Sequence, residues 1–161
     1  IFISEKRGRR KEEMIRIYIS PSCSSCRKVK EWFKEQKIPF ETKSILSGQL
    51  TKNDIRDIIK KTLDGTDEII SKRSKVIKEK NIDIDSMSFN ELVDFIYENP
   101  SCLKRPIIVT DSRIQVGYNS EEIRSFIPKA RRIFRENCTP ETCQDYYTCK
   151  NRLSQEDLDN M

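Results

Sequence analysis

A run of β-branched and aromatic residues, IRIYIS (Ile15–Ser20), leads through Pro21 straight into a Cys23-Ser-Ser-Cys26 pair. The chain then continues as CRKVKEWFKEQK, with Val29, Trp32 and Phe33 at helical spacing. Ser22, Ser24 and Ser25 can all cap a helix start. A strand that hands over to a helix with two thiols at the junction restricts the fold sharply. The helix must lie on a sheet, and the next strand must return beside the first through a right-handed crossover.

The same junction carries chemistry. Free N–H groups and the positive end of the helix dipole stabilise a thiolate, which lowers the first Cys from its free value of about 8.5. The spacing brings Cys23 and Cys26 within disulfide reach, and Arg27 and Lys28 add positive charge. Such a pair switches between dithiol and disulfide at accessible potentials. Two structural thiols, or half of a zinc site, are the competing readings of the pair.

Composition narrows the setting. Of 161 residues, 35% are hydrophobic and 35% charged, with a net charge of +5. The apolar residues are clustered and periodic, which fits a folded domain with polar extensions. A modest basic excess allows an acidic partner without requiring one. No histidine is present, so Ser-His and Cys-His nucleophile pairs and His-bearing zinc sites are excluded. No apolar run approaches the ~20 residues of a membrane span, and the charged opening IFISEKRGRRKEE has no secretory pattern. The chain is therefore expected in the cytoplasm, with its six cysteines reduced.

Further elements follow in order. FETKSI reads as a second strand. LTKNDIRDIIKKTL begins on a Thr-x-x-Asp cap, with Ile55, Ile58, Ile59 and Leu63 on one face. Asp64-Gly65-Thr66 is a turn, where Gly65 suits a cap or a positive φ. DEIISKRSKVIKEK reads as one helical stretch with Lys72, Arg73, Lys75, Lys78 and Lys80 on its polar positions. SFNELVDFIYENP is a helix capped by Ser88 with Glu91 three residues on. RPIIVTDSRIQVGY is a hairpin, and NSEEIRSFI a last helix capped by Asn119.

This order predicts a thioredoxin-like α/β fold: a mixed sheet with a helical insertion, Thr51 to Asn99, between strands two and three. Pro106, just before the third strand, takes the place of the cis-proline that packs on the active-site turn of such domains. Arg105 would then aim its guanidinium at the Cys23 thiolate. Cys102 is expected to pack beside the third strand as a small apolar residue. The predicted organisation is a charged extension over 1–13, with Met14 as the natural start, a domain over 14–134 and a polar tail over 135–161. Cys138, Cys143 and Cys149 of the tail could be redox thiols, zinc ligands or incidental, and their spacing fits no common zinc pattern.

SPSCSSCRK, DGTDEIISKRSKV, RPIIV and QVGYNSEEIRSFIP together resemble the Spx-type regulators of the ArsC/Spx family, over about Met14 to Arg132. The resemblance implies a redox-responsive transcription regulator with no cofactor and no resident metal. Its partner would be the C-terminal domain of the RNA polymerase alpha subunit, and promoter DNA only together with polymerase. It implies Cys23 and Cys26 as a disulfide switch, Arg105 as the arginine beside it and Gly65 on the alpha-subunit contact. Lys72, Arg73 and Lys75 are candidates for non-specific phosphate contacts, or simply a solvated face. Family members are degraded by the ClpXP protease, with an adaptor, through an apolar C-terminus; EDLDNM departs from that pattern. The other branch of the family implies the alternative, an arsenate-reductase-like or general thiol-disulfide oxidoreductase with Cys23 as nucleophile and Cys26 as resolving thiol.

Overall fold

The structure is a computed structural model that describes residues 13–127, Glu141 and Gln144. The 1–13 extension except Glu13, the 135–161 tail except Glu141 and Gln144, and the thiols Cys138, Cys143 and Cys149 lie outside the described residues.

A four-stranded sheet runs in the order β2-β1-β3-β4. β1 (Arg16–Ile19) is central, paired parallel with β2 (Glu41–Ser44) and antiparallel with β3 (Ile107–Val109). β3 pairs antiparallel with β4 (Ile114–Val116) across the predicted hairpin. In the turn the Thr110 hydroxyl accepts the Ser112 and Arg113 N–H groups. Helix α1 (Ser24–Glu35) makes the crossover from β1 to β2. The insertion supplies α2 (Lys52–Lys61), α3 (Lys75–Lys80) and α4 (Phe89–Glu98). Both expected capping boxes are present, Thr51 with Asp54 and Ser88 with Glu91.

Side chains alternate across the strands and build a separate core on each face of the sheet. On one face Tyr18, Ile107 and Val109 pack with Ile55, Ile58, Ile69, Leu92, Ile96 and the fully buried Cys102. On the other, Ile17 and Ile108 meet Val29 and Phe33 of α1 and Ile123 and Phe126 near the end of the domain. Cys102 fills its place as the small apolar residue expected of it, and burial pushes its thiol up to about 11.

Three expectations are corrected. The stretch 67–80 is not one helix. A 3-10 turn (Thr66–Glu68) leads to an isolated bridge between Ile70 and Leu103, and α3 starts only at Lys75. The bridge wins because it satisfies backbone groups that helix would otherwise hold: Ser71 N–H donates to Cys102 C=O at 2.9 Å, and Lys104 N–H to Ile69 C=O at 2.7 Å. Leu63 lies beyond the end of α2 and is 90% exposed, not on its apolar face. The last helix is a 3-10 segment, Glu122–Phe126, although Asn119 does accept the Glu121 and Glu122 N–H groups at its start.

Asp54 fastens α2 to the sheet. Its buried carboxylate accepts from Lys43 Nζ at 2.9 Å, the Thr51 hydroxyl at 2.9 Å and Tyr18 Oη at 3.2 Å, with Arg16 Nη1 at 3.5 Å. Burial alone would raise its pKa; the Thr51 backbone N–H, the Lys43 ammonium and the Thr51 hydroxyl outweigh that and hold it below the ordinary 3.8. A carboxyl lowered on folding stabilises the fold above its unfolded value, and that contribution is lost as pH falls through the folded value. Asp54→Ala should therefore cost about 2–4 kcal/mol in urea melts at neutral pH. The variant should also lose less stability than the parent between pH 5 and pH 2 on the same measurement.

Candidate functional site: the thiol pair at the start of α1

Cys23 is the N-cap of α1, with extended backbone, and its Sγ accepts the Cys26 N–H at 3.1 Å. The Cys23 carbonyl accepts from Arg27 N–H at 3.3 Å, and its own N–H donates to Ser20 C=O at 3.4 Å. Sulfur thus takes the place that a Ser or Asp oxygen usually holds at a helix start. Both cysteines are free thiols.

The two thiols differ in access. Cys23 is half-buried, whereas Cys26 is 1% exposed. Burial, and a hydrogen bond to Cys23, push Cys26 up to about 11, against a backbone hydrogen bond from Ser20 and the positive field of Arg105. The pair is built as an accessible outer sulfur over a protonated inner one.

The chain after the insertion closes the site. The Arg105–Pro106 peptide bond is cis, as the sequence order implied, and Pro106 is buried with its carbonyl accepting from Gly117 N–H at 2.7 Å. Arg105 is half-buried, and its charge lowers the Cys26 thiol a little against the larger effect of burial. Tyr118 was missed by the sequence reading. Its ring lies 5.9 Å from the Lys28 ammonium and ties the first turns of α1 to the segment after β4. The signal was the adjacent glycine: Gly117 has φ +80°, which turns the chain sharply after the strand.

Gly65 lies elsewhere, beyond α2. Its φ of 83° and ψ of -156° belong to a region that only glycine enters without strain. The turn is organised by Glu68, whose carboxylate accepts the Leu63 N–H at 2.9 Å and the Asp64 N–H at 3.2 Å. A Cβ on Gly65 would meet nothing within 4 Å, so the surface there is open. Lys72 and Arg73 occupy the turn before α3 and Lys75 its first position, all exposed; Lys72 pairs with Asp67 at 3.1 Å. They do not share one helix face. Among the described residues no group of three or more His, Cys, Asp or Glu could hold a metal ion, and no helix is long and apolar enough to cross a membrane.

Comparison with known proteins places this geometry. The ArsC family model matches residues 18–126. The global transcriptional regulator Spx of Staphylococcus epidermidis is 50% identical over 122 residues, covering 76% of this chain and 93% of that protein. Its Staphylococcus aureus counterpart is 49% identical over the same length and shares. Among solved structures, the arsenate reductase from Vibrio cholerae superposes with a TM-score of 0.63 at 20% identity, over 71% of this chain and 98% of that one. An ArsC family related protein from Bacteroides fragilis gives 0.60 at 24% identity, over 70% and 96%. The domain therefore has a thioredoxin-like α/β fold shared with ArsC structures. The chain belongs to the ArsC family, as an Spx-type member.

The difference in access sets an order of reaction. At pH 8 a thiol with a pKa of about 11 is thiolate in only about one molecule in a thousand. Brief iodoacetamide treatment of the native protein should label Cys23 before Cys26 and Cys102, by at least about tenfold in peptide mass spectrometry. Unfolding in urea should level the three rates.

Proposed function

We propose that this chain is a redox-responsive transcription regulator that binds the C-terminal domain of the RNA polymerase alpha subunit, with Cys23 and Cys26 as its thiol switch. The observation that carries the reading is an accessible Cys23 capping α1 over a buried, protonated Cys26, in a chain half-identical to regulators named Spx. Two-electron oxidation joins the two sulfurs and releases two protons; with diamide as oxidant, the diazene is reduced to the hydrazine. The new bond takes the Cys23 sulfur away from the Cys26 N–H that it accepts in the dithiol. In this reading the first turn of α1 shifts on oxidation, and with it the Lys28–Tyr118 contact to the segment after β4.

In this reading Gly65 sits on the alpha-subunit contact. Support comes from its open surroundings and from a turn that Glu68 holds in place before any partner arrives. Lys72, Arg73 and Lys75 would meet promoter phosphates only when polymerase has brought DNA close, adding salt-dependent affinity without base specificity.

The test is capture of this protein by the isolated alpha-subunit domain, in dithiothreitol and in diamide. Gly65→Arg should lose binding by tenfold or more. Gly65→Ala strains the same backbone with little added bulk, and should retain most of it; equal loss in both would mean that the turn conformation matters and the surface does not. Cys26→Ala should abolish the response of polymerase-dependent transcription to diamide, and an unchanged response would sink the switch. No capture in either redox state would transfer the site to thiol-disulfide or arsenate chemistry, which a turnover assay then reads directly.

A further inference from the structure

β4 is the last strand of the sheet among the described residues, and one of its edges faces away from β3. The ladder fixes which groups point that way. Gly117 N–H donates to Pro106 C=O, and Thr110 N–H to Arg113 C=O. In an antiparallel ladder hydrogen-bonded pairs alternate with non-bonded ones, so Gln115 bonds inward to Ile108. Ile114 and Val116 therefore turn their N–H and C=O groups outward.

A groove of about 510 Å³ runs along this edge. Its walls are Asp64 and Glu68 from the Gly65 turn on one side, Glu122 and Ser125 from the last 3-10 segment on the other, and Lys104. Three carboxylates against one ammonium make it acidic, in a chain whose net charge is +5. Glu122 is exposed, and Lys104 is held to the Asp67 carbonyl at 2.6 Å. Gln115, which also lines the groove, has a buried amide nitrogen with no hydrogen-bond partner.

We propose that the β4 edge is a docking surface for an extended basic segment of a partner protein, which adds to the sheet as a fifth strand. Backbone groups of the segment pair with Ile114 and Val116, and its Lys or Arg side chains reach Asp64 on one wall and Glu122 on the other. An edge with no strand partner among the described residues is a template for pairing, and the acidic walls select a cationic strand over an acidic one. The groove shares Asp64 and Glu68 with the Gly65 turn of the polymerase reading, but Glu122 and the β4 backbone do not belong to that turn. The amide protection at Ile114 and Val116 and the Glu122→Lys variant therefore test this surface apart from it.

The experiment uses the full chain labelled with ¹⁵N and a short peptide of alternating Lys and Val, with alternating Glu and Val as control. Titration of the basic peptide should shift the Ile114 and Val116 amide resonances and slow their hydrogen exchange at least about fivefold at saturation. The acidic peptide should do neither. Asp64→Lys/Glu122→Lys reverses exposed charges and should weaken the basic peptide about fivefold or more while leaving the rest of the amide spectrum in place. Glu122→Lys alone should give part of that loss, which keeps the test valid if the double variant disturbs the Gly65 turn. Binding without protection of these two amides, equal binding of both peptides, or no binding overturns the proposal.

Discussion

Everything in this molecule hangs on β1 having partners of opposite sense on its two edges. Ile17 and Tyr18 are both fully buried, one on each face, so the strand must be covered above and below. A parallel neighbour cannot be reached by a hairpin. The chain must leave the C-terminal end of β1, cross one face as α1 and return as β2, which places the start of α1 and its two thiols at that end. β3 runs the other way, and Tyr18 pairs with Ile107. The residues just before β3, Arg105 and Pro106, therefore arrive beside the residues just after β1. That Arg105, far away in sequence, acts on the Cys26 thiol at all is a consequence of strand register.

What could be read from the sequence was what local physics decides. The β-branched run of β1, the Val29 and Phe33 spacing of α1 and the two capping boxes each rest on a few consecutive residues, and all are where they were expected. The cis bond before Pro106 was expected from the likeness to thioredoxin-like domains, which the order of elements suggested. What failed depended on distant partners. Ile69 and Ile70 fit a helical pattern, but Cys102, Leu103 and Lys104 offer them a bridge that no window of sequence contains. Asp54 was legible as a cap partner only. Its burial among Tyr18, Lys43 and Arg16 comes from packing α2 against two strands. The same limit explains the site: the cysteines announced themselves, whereas the effect of Arg105 on the inner thiol and the packing of Tyr118 over Lys28 needed the tertiary fold.

The two cores also separate two kinds of surface. The α1 face carries the thiols over a core of Phe33, Ile108, Ile123 and Phe126. The insertion face carries the Gly65 turn over a core of Ile55, Ile58, Ile69 and Leu92. Within the first, Arg113 stacks 4.1 Å from the Phe126 ring centroid and bonds Ser125 through both Nη atoms, tying the β3–β4 turn to the 3-10 segment Glu122–Phe126. The sheet thus puts the thiol pair and the Gly65 turn over different cores, one on each of its faces.

The short bridge at Ile70 and Leu103 changes what that separation means. Residues 69–71 are stitched to 102–104 by hydrogen bonds of 2.9 and 2.7 Å. At the Ile69–Lys104 end of this antiparallel seam, one strand is a single residue from Arg105 and the other a single residue from the 3-10 turn that Gly65 opens. In covalent and hydrogen-bonded steps the thiol end and the glycine turn are near neighbours, although one belongs to each side of the sheet. The seam joins the two neighbourhoods through backbone hydrogen bonds alone, so no side-chain substitution short of proline removes it.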